Sequence, residues 1–186
     1  MKKFLYFFCS QVFFSFNSIS QQPCDTIQWK ENIKIDWVDY RGNPDTTTLA
    51  AARTSSDIGY TANLFKDTLK IKTYSNLIKC TSWTKSKTPV LLLHERTHFD
   101  ITEYSRRLLV QKLLVTDFKV QNAMQIIAEI YQEFVRFRIN LDDEYDEKTD
   151  YSRNMVVQDR WTKNIQNKLT SLKNFSKKEA IIILKR

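Results

Sequence analysis

Glycine is almost missing from this chain. Its 186 residues hold only Gly42 and Gly59. Phosphate-cradling loops of the G-x-G-x-x-G or P-loop kind need clustered glycines for close backbone approach, so both are excluded. Three cysteines are too few for a four-cysteine zinc ribbon or a dense disulfide scaffold. Two histidines leave any metal centre few imidazoles to draw on. Basic runs are missing as well. Lys and Arg number 29 against 21 acidic residues, a formal charge of +8, yet no stretch of five or more consecutive basic residues occurs. Scattered charge of this kind reads as a solvated surface, and no nucleic-acid partner is expected. What remains is ordinary: 42% hydrophobic and 27% charged residues, in a chain long enough to bury a core as one domain.

The first twenty residues differ from the rest. Lys2 and Lys3 precede Phe4-Leu5-Tyr6-Phe7-Phe8-Cys9 and Val12-Phe13-Phe14-Ser15-Phe16, with no acidic residue before Asp25. Ser18 and Ser20 stand at the −3 and −1 positions of a cleavage site before Gln21. This is the layout of a secretory signal peptide. The apolar run is broken at Ser10-Gln11 and is shorter than the roughly 20 residues a spanning helix needs. Residues 1–20 are therefore read as a signal peptide and 21–186 as a single exported domain, in the periplasm or outside the cell, with no stable membrane insertion. Cleavage leaves Cys24 and Cys80, which in an oxidising compartment are expected to form a disulfide.

The remainder divides into a β-rich front and a helical back. Ile27, Trp29, Ile33, Ile35 and Trp37 largely alternate, as in a strand. Residues 40–45 form a turn cluster, and further strands are expected near 58–65 and over 69–78, the latter as one strand or as two divided by a turn at Asn76. Thr88-Pro89 is a helix start, hydroxyl cap followed by proline in the first turn. Helices are expected from there to Val115, from about Lys119 to Asn140 and from about Asn154 to Leu172. The acidic run from Asp142 to Glu147 reads as a polar loop, and Ala180–Leu184 as a last strand or a docking tail.

Both histidines of the chain lie in one helical motif, His94-Glu95-Arg96-Thr97-His98. Four residues advance about 40° beyond a full helical turn, so the two rings point the same way and can share one ion. Glu95 lies about 100° from His94, beside the ion without ligating it. From there it can take a proton from a zinc-bound water and pass it to a leaving amine. Asp100 and Glu103 are turned away by about 120° and 180°, which fits anchoring of Arg106 or of a backbone donor better than ligation.

The stretch Leu92-x-His94-Glu95-x-x-His98-Phe99-Asp100-Ile101-x-Glu103 resembles a bacterial family of exported, zinc-protease-like proteins, domain of unknown function 922. Trp37-x-Asp39-Tyr40-x-Gly42-x-Pro44-Asp45, Ala50-Ala51 before Thr54-Ser55, Ser82-Trp83, Tyr145-Asp146-x-x-Thr149 and Gln158-x-x-Trp161 are also similar. The resemblance covers most of the mature chain and implies a zinc-peptidase site. In the family pattern a histidine follows Tyr-Asp-x-x-Thr by two positions and is the natural third ligand; here that position is Tyr151. The third ligand is accordingly expected from oxygen: Tyr151, or Asp146 or Asp150 within a turn of it.

Together these readings give an α+β domain, an N-terminal antiparallel sheet packed on about three helices with a zincin-like His-Glu helix. The expected activity is hydrolysis of peptide bonds in a peptide or protein substrate. Its parts are Zn2+ on His94, His98 and Tyr151, Glu95 as base, and Tyr145 or Tyr151 as oxyanion donor. The alternative is an inactive exported binding module that keeps the fold.

Overall fold

A computed structural model describes residues 24–184. The leader and its cleavage site lie outside the described residues. Long-range order begins with β4 (Thr68–Ile78), whose residues Leu69, Ile71, Thr73, Ser75 and Leu77 are buried while the alternate residues are not. That period of two turns one face of the strand toward the helices. β3 (Ser56–Phe65) pairs antiparallel with β4 along its whole length, from Ser56 opposite Leu77 to Phe65 opposite Thr68. The other edge of β4 is shared. β1 (Thr26–Gln28) pairs with its end at residues 76–78, and β6 (Glu179–Ile183) pairs with its start at 68–72. Ala180–Leu184 thus supplies a last strand to the sheet. Gly59 lies opposite Tyr74, whose ring covers the space a Cβ at that position would need.

A smaller ladder pairs β2 (Ala52–Arg53) with β5 (Trp83–Thr84). Beside it Gly42 donates its N–H to the Ser82 carbonyl. A Cβ at Gly42 would meet the Cys80 carbonyl oxygen at 2.9 Å, so only glycine lets these two backbones touch. Cys24 and Cys80 are disulfide-bonded, with Cα atoms 5.6 Å apart.

Three helices follow. α1 (Pro89–Val115) begins with the Thr88 hydroxyl accepting from the Leu91 N–H and with proline in the first turn. α2 spans Ala123–Lys148 and α3 spans Met155–Ser171, the latter capped by Asn154. α1 lies at the centre, packing on the sheet and on both other helices. On the sheet side, Leu109 and Leu113 meet Ile58, Leu69 and Ile71 together with Ile127 and Ile130 of α2. Toward the N-terminal half of α1, Phe99 and Ile101 meet Trp29, Ile35, Leu77, Tyr145, Ile165 and Leu169. The α+β class with an N-terminal antiparallel sheet and three helices is as expected.

Two local expectations are corrected and one open choice is decided. The alternation of residues 27–37 yields a strand only at 26–28: Asn32 takes a positive φ of 61° and turns the chain. Beyond it Ile35 still reaches the core, while its carbonyl accepts from the Arg96 guanidinium. Of the two readings of residues 69–78 the single strand holds, with Asn76 inside β4 opposite Asp57 and Gln28 and no turn there. The acidic run 142–147 is helix and not loop, because α2 continues to Lys148. That last difference builds the site.

Candidate metal centre

His94 and His98 occupy successive turns of α1, and Asp142 and Asp146 occupy successive turns of α2. Both pairs have i, i+4 spacing, so each presents a doublet on one helix face. Packed together, the doublets interlock. His94 Nε2 lies 2.9 Å from Asp146 Oδ1, His98 Nε2 lies 3.0 Å from the same oxygen, and the two imidazole nitrogens are 3.2 Å apart. One ligand atom from each of His94, His98 and Asp146 thus converges on a common point, and the three can hold a metal ion.

Asp142 does different work. Its Oδ1 accepts from His98 Nδ1 at 2.9 Å, while its Oδ2 accepts from the Arg138 guanidinium. This fixes the tautomer of His98 and aims the lone pair of Nε2 at the ligand cluster. Burial alone would drive His98 toward its neutral form, but Asp142 and Asp146 outweigh it and raise the proton affinity of the ring well above normal. Burial acts upward on Asp146 too, yet its bonds to His94 and His98 hold its carboxyl far below the usual range. The His98 ring thus sits between two carboxylates, Asp142 on Nδ1 and Asp146 on Nε2.

His94 is oriented by packing. The Tyr145 ring stacks on it with centroids 4.6 Å apart and meets His98 edge-on at 5.0 Å. Tyr145 is fully buried, lies against Trp161 and is not among the residues lining the cleft. It backs the imidazoles, and this placement gives no support to the oxyanion role expected for it. Tyr151 lines the cleft but is 56% exposed, in a left-handed turn with φ 50° that follows α2. Asp146, one of the three oxygen ligands expected, closes a triangle with the two histidines. Asp150 is an exposed residue whose carboxylate accepts from Arg153.

The cleft has a volume of about 420 Å³, the scale of ligand pockets, and Glu95 stands in its wall beside both histidines. Burial pushes the Glu95 carboxyl up; His98, Thr54 and His94 pull against that without cancelling it. Across the cleft run residues 50–54, the segment carrying β2. Its Thr54 hydroxyl donates to Glu95 Oε2 at 2.6 Å and lies 2.8 Å from the Tyr40 hydroxyl. Asp142 and the Tyr40–Thr54 pair were not anticipated as functional. The spacing of Asp142 and Asp146 was the available signal for the first; Tyr40 and Thr54 lie in two of the segments that carry the family resemblance, but nothing local shows that they meet.

Asp100 and Glu103 point away from the cluster, as the helical angles require. Asp100 accepts from the Trp29 indole and from Gln166, and Glu103 grips Arg106 and Arg107. No protein-family model, no curated protein and no solved structure matches this chain. Its chemistry has to be read from the geometry of the site.

Proposed function

We propose that the chain is an exported zinc-dependent peptidase, hydrolysing peptide bonds in the cleft between α1 and the segment 50–54. The observation that carries this reading is the convergence of His94, His98 and Asp146 beside Glu95. Two imidazoles and one carboxylate are a borderline donor set that suits zinc and leaves a fourth position for water or substrate. Their separations of 2.9–3.2 Å fall near the roughly 3.3 Å between ligands of a four-coordinate ion with bonds of about 2.0–2.1 Å. Zinc held there supplies a Lewis acid and draws the pKa of water toward neutrality.

The chain supplies the rest. Glu95 accepts a proton at its carboxylate from the attacking water and delivers it to the departing amine. Burial raises the proton affinity of that carboxylate, and the Thr54 hydroxyl holds one of its oxygens. Asp142, held by Arg138, keeps His98 aligned, and Tyr145 presses on the face of His94. Export is supported by the Cys24–Cys80 disulfide and by the leader sequence. No helix among the described residues is long and apolar enough to cross a membrane.

Glu95→Gln tests the reading. Glutamine keeps the shape but cannot accept the proton, so cleavage of a peptide library should fall by about 10²–10⁴-fold. Bound zinc should stay at the wild-type amount. Zinc-loaded wild type that cleaves nothing would leave a metal-holding binding module as the better description.

A further inference from the structure

Glu95 does not stand free in its cleft. Thr54 Oγ1 lies 2.6 Å from Glu95 Oε2 and 3.1 Å from the Glu95 main-chain carbonyl. On its other side is the Tyr40 hydroxyl at 2.8 Å. A threonine hydroxyl has one proton to give. An ionised carboxylate can only accept, so that proton goes to Oε2, the nearer oxygen. Tyr40 must then be the donor to Thr54. The chain of bonds has a single direction, Tyr40 to Thr54 to Glu95.

The scaffold behind Thr54 is unusually well tied. On its N-terminal side, Ala52 and Arg53 pair with Thr84 and Trp83 of β5. On its C-terminal side, the Ser55 N–H donates to Ser82 Oγ and the Ser55 carbonyl accepts from the Ile78 N–H. Tyr40 is buried, and its ring packs edge-on against Trp37. Burial raises the proton affinity of its phenol, so Tyr40 remains a donor. A hydroxyl fixed by pairing on both sides and aimed at a carboxylate restricts that carboxylate to one rotamer. Catalytic geometry depends on such restriction, since small displacements of a reacting group are costly.

We infer that Thr54, backed by Tyr40, is a positioning residue that holds the Glu95 carboxylate toward the reacting water. The kinetic part of this inference rests on the peptidase reading; the structural part does not. Thr54→Val keeps the shape but replaces the hydroxyl with a methyl group, which removes both the bond to Glu95 and the acceptor for Tyr40. In a crystal structure of that variant the Glu95 carboxylate should leave its present place, whereas in Thr54→Ser it should stay. With peptide substrate, Thr54→Val should lower kcat by about 10–100-fold at near-constant KM, and Thr54→Ser should recover most of the loss. Tyr40→Phe should cost about 3–10-fold, since it loosens Thr54 without removing it. Thr54→Val with Glu95 unmoved and kcat unchanged would overturn the inference and leave the peptidase reading intact. If zinc-loaded wild type cleaves no peptide, that reading falls, and the position of Glu95 in Thr54→Val still decides this one.

Discussion

Asp146 and Asp142 carry like charges one helical turn apart, yet the structure gives them unlike tasks. Asp146 faces the nitrogens of both histidines and completes the ligand triangle; Asp142 holds the far nitrogen of one of them. Their removal should therefore differ in kind. Asp146→Ala deletes a ligand and should abolish stoichiometric zinc binding, whereas Asp142→Asn should weaken it by about 10–100-fold, as loss of an outer partner does. Tyr151→Phe should leave binding unchanged. Titration of metal-free protein against a chromophoric chelator measures all three, and a Tyr151→Phe variant that loses zinc would return the third ligand to the tyrosine. The residues legible in the sequence were those whose role follows from one helix: the helical angles alone put His94, His98 and Glu95 together. Asp146 stood only as one of three alternatives, because its role depends on which face of α2 meets α1, and no local pattern states that. Tyr40 and Thr54 come from a turn and a strand end, where no periodicity indicates what lies across the cleft.

Among the elements, α1 decides the rest, because it carries the ligand turn at one end and a buried ion cluster near its middle. Glu103 accepts from Arg106 Nε at 2.7 Å, from Arg107 Nε at 2.8 Å and from Ser75 Oγ at 2.6 Å. Arg106, fully buried, also reaches Thr73 of β4 and the carbonyls of residues 175–177, so one guanidinium ties helix, sheet and the C-terminal connection together. Glu103→Gln leaves two buried cations without their counter-charge and should cost about 3–5 kcal/mol. Burial acts to raise the Glu103 carboxyl, but Arg106, Ser75 and Arg107 outweigh it and leave it below the usual range. A lowered carboxyl stabilises the fold above its unfolded pKa of about 4.3, and that contribution fades as pH falls through the lower folded value. Urea unfolding should accordingly show a gap between wild type and Glu103→Gln that is full at pH 7 and shrinks by pH 3; an unchanging gap would refute the assignment. α1 was legible because Thr88-Pro89 marks its start and no glycine or proline interrupts it. The end of α2 was not, because six consecutive residues rich in carboxylates look like solvated loop until the two histidines of α1 are brought opposite them and Arg138, one turn back on the same helix, pairs with Asp142.

At the scale of the molecule, the candidate metal ligands and the wall that faces them belong to separately anchored parts. His94, His98 and Asp146 lie on α1 and α2, whereas Tyr40, Thr54 and β2 hang on the turn between β4 and β5. That turn is secured by the Cys24–Cys80 bond, by the Arg41 N–H donating to the Lys79 carbonyl and by the Lys79 N–H donating to the Asp25 carbonyl. Closing a loop with a sequence separation of 56 removes denatured-state entropy worth about 4 kcal/mol in the chain-entropy model. A Cys24→Ser/Cys80→Ser variant should therefore unfold at a clearly lower urea concentration, with a somewhat steeper slope because its denatured state is free to expand. Because no ligand lies in the cross-linked part, the folded variant should still bind one zinc per chain. Urea midpoints and zinc stoichiometry, measured where both proteins are folded, test the two halves together. A variant as stable as wild type would mean that backbone pairing around Gly42 and Ser82 suffices without the bond. A stable variant unable to hold zinc would mean that the wall and the helices are one unit, and that the disulfide reaches the metal centre through Thr54 and Glu95.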